Sequence, residues 1–216
     1  MTPFDQSYFS NCYRDYALQN PPYKLAFYMS WVERLAPAKE ALDILEVGCG
    51  LGSFLRYLHD RRPLHRLTAT DISDFAVAET AKRTPSVDIR RAPADCKVFP
   101  DASFDCVCSF DVCEHVPDLE STLQAVADVL RPGGIFLLVV PVYDGLSGPL
   151  IRLLDKDPTH VHKMGRDFWL NWGRQRLQLL DWVGMVRYLL PWKYYLHLTT
   201  RRFRRHTPAI LAVFRK

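Results

Sequence analysis

Short apolar runs alternate with helical patterns through the middle of the chain, and this alternation is the strongest constraint on the fold. Five such runs lie at residues 42–47, 67–71, 87–91, 104–110 and 135–140. Strands separated by helices predict β-α-β units, in which parallel strands form a sheet covered by helices. Two later runs, at 186–190 and 209–214, predict closing strands. We therefore expect an α/β fold with a mostly parallel, seven-stranded sheet flanked by helices and an antiparallel strand near the C-terminus.

The 216 residues are enough for one domain with its own apolar core. We divide it into a helical leader at 1–39, a core at 40–140, an insertion and helix at 141–185, and closing strands with a basic tail at 186–216. Glycines and prolines interrupt residues 141–165, and the helix is expected near 168–181. Long irregular insertions in compact domains are usually functional, so we predict that 141–165 form a lid; a helix packed on the core is the alternative.

The composition is that of an ordinary globular protein, because 48% of the residues are hydrophobic and 24% are charged, which excludes a disordered chain. No run approaches the roughly 18 apolar residues of a membrane span, and the N-terminal residues lack a secretory pattern. Six cysteines show no zinc-binding spacing, and four of them crowd between positions 96 and 113. Reduced thiols in a cytoplasmic protein are the simplest interpretation.

The net charge of +4 conceals a strongly basic C-terminal segment. No acidic residue follows Asp181, whereas eight lysines and arginines do, so the rest of the chain is net acidic. An enzyme of nucleic acids usually carries a broad basic face, and we predict no nucleic-acid partner. Aromatic residues within 182–205, beside the arginines of 201–205, suggest peripheral contact with the inner face of an anionic membrane. The alternative, which we favour, is that the apolar residues form strands and the arginines a solvated loop.

A glycine-rich turn lies where the first strand meets a helix, in the segment 45–53 with the sequence LEVGCGLGS. Glycines there permit a tight turn and the close approach of a ligand, and the free N–H groups of the helix start suit an anion. The spacing G-x-G-x-G is shorter than the G-x-G-x-x-G of dinucleotide folds. Asp71 ends the second strand about 20 residues later, where an acid is placed to bind ribose hydroxyls; a simple helix cap is the alternative.

Two further strands lead into polar residues, Asp95 with Cys96 after the third and Asp111, Glu114 and His115 after the fourth. Ligands of open α/β sheets bind beyond the carboxyl ends of the strands, so four strand ends converge on one crevice. The three residues after the fourth strand could together hold a divalent metal. Capping of a helix dipole explains the same acids equally well, and we predict no metal.

Five segments carry a family resemblance: EVGCGLGSF, ATDIS, APADC, SFDVCEHVPD and LRPGG. In this order and spacing they resemble the class I S-adenosylmethionine-dependent methyltransferases over about residues 20–165. SFDVCEHVPD and the later DPTHVH are similar to small-molecule methyltransferases, including the ubiquinone-biosynthesis O-methyltransferases. The resemblance implies a Rossmann-like fold, S-adenosylmethionine as cofactor, S-adenosylhomocysteine as product, and a small-molecule acceptor methylated on oxygen, nitrogen or carbon. A lipid-linked and a phosphorylated acceptor are both open alternatives.

The resemblance also implies which residues bind the cofactor, within 40–140. Those lining its methionine part are Glu46, Gly48, Cys49 and Gly50; those on the ribose and adenine are Asp71, Ile72, Asp95 and Cys96; those closing over the ligand are Phe110 and Asp111. Tyr8 and Tyr13 of the leader cover the site, and 141–185 form the acceptor side.

To be methylated, an acceptor hydroxyl must also lose its proton to a base. Histidine is suited to this role because it titrates near neutral pH. We predict that His115 and His160 contact the acceptor as catalytic residues, and His162 is a further candidate.

Three other interpretations stay open. Residues 20–23 match the N-P-P-Y motif of DNA-base amino-methyltransferases, but no convincing strand precedes them, and prolines commonly start a helix. A nicotinamide-dependent oxidoreductase would need the wider glycine spacing and a hydride-transfer pair. A non-catalytic cofactor-binding module would bind the cofactor without consuming it.

Overall fold

The computed structural model describes residues 4–12, 15–145, 148–155, 157–190 and 192–216. Its α-helices are α1 (Gln6–Cys12), α2 (Tyr16–Gln19), α3 (Pro22–Leu35), α4 (Ser53–Arg61), α5 (Asp74–Arg83), α6 (Leu119–Val129), α7 (Gly148–Leu154) and α8 (Arg166–Arg174). Its strands are β1 (Asp43–Val47), β2 (Arg66–Asp71), β3 (Asp88–Arg91), β4 (Phe104–Phe110), β5 (Leu130–Pro141), β6 (Gln178–Leu189), β7 (Tyr195–Thr200) and β8 (Ala209–Arg215). Short 3₁₀ helices span Cys113–His115 and Arg204–His206.

The strands form one sheet in the order β3-β2-β1-β4-β5-β8-β6-β7. The first five strands pair in parallel, and β8 is antiparallel to both β5 and β6. This arrangement confirms the predicted mostly parallel sheet with an antiparallel strand near the C-terminus. The chain continues from β1 to β2 on one side and reaches β4 on the other, so the strand order reverses beside β1. A ligand crevice is expected at such a switch point.

The sheet has eight strands, and the prediction of seven is wrong. The additional strand is the edge strand β7, of which only Tyr195 is buried, so no continuous apolar run marks it in the sequence. The helix expected near 168–181 ends at Arg174, because the chain pairs with β8 from Gln178 onward. Pairing with a neighbouring strand here overrides the local helical pattern.

The apolar core lies on both faces of the sheet, and alternate residues of β5 serve the two faces. Phe136 and Leu138 pack in a cluster with residues of α6 and α8, whereas Ile135 and Leu137 pack in a second cluster with residues of α3 and α4. All four side chains are fully buried, as the period of two in a strand covered on both faces requires. The sheet is therefore a rigid base for the loops at its carboxyl edge.

The arginines between β7 and β8 are tied to the fold. Arg201 forms an ion pair with Asp181 at 2.5 Å, and Arg204 lies 4.1 Å from the ring centre of Trp182. The arginines lie in a loop between strands, as the favoured alternative predicts, but these two pair with side chains of β6 and are not merely solvated. In the described part of the chain, every helix is too short or too polar to cross a membrane.

Candidate active site

A cavity of about 740 Å³ opens at the carboxyl edge of the sheet, between the ends of β1, β2 and β4, the leader helices and the insertion. It brings together most of the residues that the sequence singles out. Those lining it are Glu46, Gly48, Cys49, Gly50, Asp71, Ile72, Asp95, Phe110, Asp111, His115 and His160. Cys96 is the exception, because its side chain is exposed and does not line the cavity.

The glycine turn requires backbone angles that favour glycine. Gly48 and Gly50 have φ values of 72° and 53°, in the left-handed region. A Cβ atom on Gly48 would lie only 2.3 Å from Cγ2 of Val112, so no side chain fits there. The N–H groups of Gly48 and Cys49 donate to the carbonyl of Thr70 at 2.8 and 3.0 Å, which anchors the turn to β2.

Asp71, at the end of β2, holds two loops of the site. Its Oδ2 accepts from the N–H of Gly50 at 2.8 Å, and its Oδ1 accepts from the N–H of Ser73 at 2.9 Å. Each carboxylate oxygen keeps a second lone pair that can accept from a ligand hydroxyl. Burial raises the pKa of Asp71 above its ordinary value. The acid therefore shapes the glycine turn as well as facing the cavity, a double role that the sequence does not indicate.

Glu46 is a buried carboxylate in β1, and it lines the cavity. Its Oε2 has no hydrogen-bond partner among the residues that the structure describes. Burial, with the charge of Asp71 as the second cause, raises the pKa of Glu46 well above its usual range. A cationic group of a ligand would donate the missing hydrogen bond and would compensate the buried negative charge.

Phe110 is held by aromatic packing. Its ring stacks on Tyr28 with the ring centres 4.6 Å apart, and Phe54 meets it edge-on at 5.0 Å. Offset and edge-on aromatic pairs of this kind fix the orientation of a ring. Phe110 therefore presents a rigid apolar wall to the cavity.

Asp111 is engaged by an arginine that comes from the far side of the sheet. Both of its oxygens accept hydrogen bonds from the guanidinium of Arg187 in β6. Burial alone would raise the pKa of Asp111, but Arg187 holds it below the ordinary value. Asp111 is thus committed to an ion pair and does not join Glu114 and His115 in the trio proposed for a metal.

Two histidines, His115 and His160, line the cavity beside the insertion. The ring centres of His115 and His160 are 4.6 Å apart. Nδ1 of His160 lies 2.9 Å from Oδ2 of Asp155, and Nδ1 of His115 lies 2.8 Å from the hydroxyl of Thr159. Ligating atoms of Glu114, His115 and His160 fall within 4.8 Å of one another, a set that includes His160 in place of Asp111.

His162 turns away from this pair, because its Nε2 lies 2.9 Å from the carbonyl of Val116 and it does not line the cavity. In the leader, the hydroxyl of Tyr8 donates to Asp157 of the insertion at 3.0 Å, and Tyr8 lines the cavity. Tyr13 lies outside the described residues.

The insertion contributes to the cavity at two described positions, Pro141 and His160. Between them, α7 exposes Leu150, Leu153 and Leu154 to solvent. The lid over the site stays a prediction, and Leu146, which belongs to it, lies outside the described residues.

Two basic residues of the cavity are missed by the sequence reasoning, Lys24 in α3 and Arg187 in β6. Neither belongs to a motif, and single lysines and arginines on helices and strands are usually solvated. Only Lys24 has a signal in the sequence. Pro21 and Pro22 mark the start of α3, and this places Lys24 in the first turn of the helix.

Comparison with protein-family models matches residues 45–138 to a family described as a methyltransferase domain. A “Probable S-adenosylmethionine-dependent methyltransferase” of Mycolicibacterium smegmatis is 38% identical over 109 residues, which cover 50% of this chain and 42% of that protein. A sterol 24-C-methyltransferase of Gibberella zeae is 31% identical over 149 residues, which cover 66% of this chain and 37% of that protein. The chain spans less than half the length of these curated relatives.

Among solved structures, an S-adenosylmethionine-dependent methyltransferase of Thermotoga maritima superposes with a TM-score of 0.71. The alignment covers 96% of each chain at 15% sequence identity. At this identity the likeness concerns the fold alone, and it confirms the Rossmann-like architecture that the sequence resemblance implies.

Proposed function

The chain belongs to the class I S-adenosylmethionine-dependent methyltransferases, and we propose that it transfers a methyl group from this cofactor to a hydroxyl oxygen of a small-molecule acceptor. The observation that carries the proposal is the convergence on one cavity of the glycine turn, two buried acids and His160, which is paired with Asp155. A relative that methylates a sterol supports a small acceptor. The choice of oxygen rests on the histidine–aspartate pair, since an amine would need only its free lone pair.

The cofactor end of the cavity, which we define by Glu46, Gly48, Gly50 and Asp71, fits S-adenosylmethionine. The unpartnered Oε2 of Glu46 suits the ammonium group of the methionine part, and the free lone pairs of Asp71 suit two ribose hydroxyls. The left-handed turn lets a ligand approach the backbone closely. When bound, this cofactor supplies a methyl group on a sulfonium, a strong electrophile. The protein then needs mainly to align the acceptor and to remove its proton.

We assign Asp111, which the sequence resemblance places over the cofactor, to an acceptor end that we define by Lys24, Asp111, His160 and Arg187. This end supplies the proton acceptor. Asp155 accepts the N–H of His160 Nδ1 at 2.9 Å, which leaves the lone pair on Nε2. Burial opposes ionisation of Asp155, but Lys163, Tyr143 and His160 hold its pKa well below the usual range. The carboxylate therefore stays charged and fixes the tautomer, and His160 Nε2 takes the hydroxyl proton as the oxygen is methylated.

The test is the formation of S-adenosylhomocysteine from S-adenosylmethionine in the presence of mixed hydroxylated small molecules. We expect acceptor-dependent turnover that falls roughly 10²–10⁴-fold in His160→Gln, the usual worth of a positioned base. Asp155→Asn should retain cofactor binding and also lose turnover. Cys96→Ser is the matched control and should remain fully active, because Cys96 lies outside the cavity.

Two results would contradict the proposal. Binding of the cofactor without consumption by any acceptor would identify a non-catalytic module. Tight binding of a nicotinamide cofactor in place of S-adenosylmethionine, measured by fluorescence titration, would support an oxidoreductase.

A further inference from the structure

A buried lysine that the proposed chemistry does not use lines the acceptor end. Lys24 is only 6% exposed, and it lies at the start of α3. Its Nζ donates to the carbonyl of Gln19 at 3.0 Å and to Oδ1 of Asn20 at 3.1 Å. A protonated lysine has three donors, so one N–H remains after these two bonds. The cavity adjoins the side chain and is where a partner for this N–H would bind.

The charges around Lys24 do not balance. Within the described part of the chain, no carboxylate lies within ion-pair distance of its Nζ, and the acid whose charge acts on it, Asp111, is bound by Arg187 through both oxygens. A protonated Lys24 therefore adds a second cation beside the carboxylate of Asp111, because the other acid that interacts with this ion pair, Glu114, has its pKa raised well above the usual range by burial. Burying a charge without a partner is costly, and an enclosed site of this kind attracts a counter-ion.

We propose that Lys24 binds a carboxylate of the acceptor, so that the enzyme methylates a small acid carrying both a hydroxyl and a carboxylate group. This inference rests on the proposed methyltransferase function and specifies its substrate class. One carboxylate supplies one negative charge, which is the charge that the acceptor end lacks. A phosphate monoester, with up to two charges, would exceed that need.

The cofactor also contains a carboxylate that could bind Lys24. We favour the acceptor carboxylate because the charged groups that act on Lys24, Arg187 and Asp111, belong to the acceptor end. Burial, then the charge of Arg187, lowers the pKa of Lys24 to about 7, and Asp111 partly opposes this shift. Tyr28 and Tyr195 face the ammonium group with ring centres at 5.7 and 5.1 Å.

Among the residues that the structure describes, His197 of β7 also responds to Lys24, because burial and the charges of Lys24 and Arg187 lower its pKa to about 4. Glu46, by contrast, responds to Asp71 at the cofactor end.

The decisive experiment is calorimetry on the full chain saturated with S-adenosylhomocysteine at pH 8. The probes are benzoate, phenylacetate and 4-hydroxybenzoate, each compared with its primary amide. We expect at least one acid to bind roughly tenfold more tightly than its amide, because a charge-assisted hydrogen bond is lost in the amide. Because Lys24 is mostly neutral at pH 8, binding of the acid should take up a proton, which is measured by repeating the titration in buffers of different ionisation enthalpy.

Three variants connect these effects to Lys24. Lys24→Met should lose both the preference for acids and the proton uptake. Lys24→Arg should keep the preference without the uptake, because arginine is already charged at pH 8. Lys82→Met, an exposed lysine paired with Glu79, is the control and should behave as wild type. Equal binding of acids and amides by the wild-type protein would overturn the proposal.

A second titration separates the two sources of a carboxylate. Lys24→Met should bind S-adenosylhomocysteine as tightly as the wild type does. A roughly tenfold loss that spares 5′-methylthioadenosine, which lacks the amino-acid part, would assign Lys24 to the cofactor and overturn the acceptor assignment. Failure of the wild-type protein to bind S-adenosylhomocysteine would instead refute the proposed function itself.

Thermal unfolding tests the unbalanced charge without any ligand. The folded chain disfavours the proton on Lys24, whereas the unfolded chain holds it until about pH 10.5, so the wild-type protein should gain stability as the pH rises from about 7 to 10.5. Lys24→Met should lack this gain. The same pH profile in both proteins would mean that the lysine already has a counter-charge, which would overturn the proposal.

Discussion

The two ends of the cavity are built in different ways. The cofactor end takes Glu46, Gly48, Gly50 and Asp71 from one continuous β1-α4-β2 unit, and hydrogen bonds of the backbone and of Asp71 hold it together. The acceptor end collects Lys24, Asp111, His160 and Arg187 from four separate segments of the chain.

The half-buried ion pair Asp111–Arg187 and side-chain hydrogen bonds of Lys24 and His160 assemble the acceptor end. The proposed cofactor end is therefore a local motif, whereas the proposed acceptor end consists of contacts that exist only after the sheet has formed.

The largest effect is expected for a substitution that disrupts only the acceptor end. Arg187→Met leaves the half-buried Asp111 without its cation, which should cost about 3 kcal/mol of unfolding free energy, at the lower end of the range for buried pairs. Urea unfolding of this variant and of the double variant Asp111→Asn with Arg187→Met measures the cost, and the double variant should recover part of the loss. Arg90→Met is the control, because its pair with Asp88 is exposed. Equal stability of Arg187→Met and wild type would show that the ion pair does not organise this end.

Glu46→Gln tests the contribution of one charged residue at the cofactor end. The substitution removes the charge expected to meet the ammonium group, so affinity for S-adenosylhomocysteine should fall by about 1.5–3 kcal/mol, measured by calorimetry. The stability of the ligand-free protein should change in the opposite direction, in favour of the variant at high pH. Because burial raises the pKa of Glu46, the wild-type protein loses stability as the pH rises above the value of the unfolded chain, near 4.5.

The variant lacks this ionisation, so it should not lose stability for this reason as the pH rises. The difference in stability between variant and wild type should therefore be constant below pH 4 and should shift in favour of the variant by pH 8. An identical pH dependence of the melting temperature in both proteins would contradict the assignment of Glu46 as an uncompensated acid.

Asp71→Ala tests whether the cofactor end is held by its own hydrogen bonds. We expect cofactor affinity to fall by about 1–3 kcal/mol, since the two proposed ribose contacts and the bond to Gly50 would be lost. The sheet should survive, because Asp71 lies at the end of its strand. Calorimetry gives the affinity, circular dichroism checks the fold, and Cys96→Ser serves as a control that should bind normally. Unchanged affinity would remove the ribose assignment.

Sequence reasoning singles out every residue of the proposed cofactor end but misses Lys24 and Arg187 of the proposed acceptor end, for a physical reason. Gly48, Gly50 and Asp71 are required by local backbone geometry and by a fixed spacing, both of which are visible in one chain segment. Arg187 becomes significant only in the folded sheet, where its strand β6 lies beyond β8 and its guanidinium still reaches Asp111 at the end of β4. The same limit explains the missed strand β7, whose place depends on pairing with β6 rather than on a run of apolar residues.

The smallest expected effect concerns the basic tail, where the membrane hypothesis can be tested against the loop that we favour. Arg201 is engaged by Asp181, Arg204 by Trp182, and Arg202 lies 5.5 Å from the ring centre of Phe203. Exposed ion pairs are worth at most about 1 kcal/mol, so changing Arg201, Arg202, Arg204 and Arg205 together to Gln should lower stability only slightly. Co-sedimentation with anionic vesicles at low salt should leave both proteins in the supernatant. Pelleting of the wild-type protein alone, reversed by added salt, would restore the membrane hypothesis, because each basic residue at such a surface contributes about 1 kcal/mol.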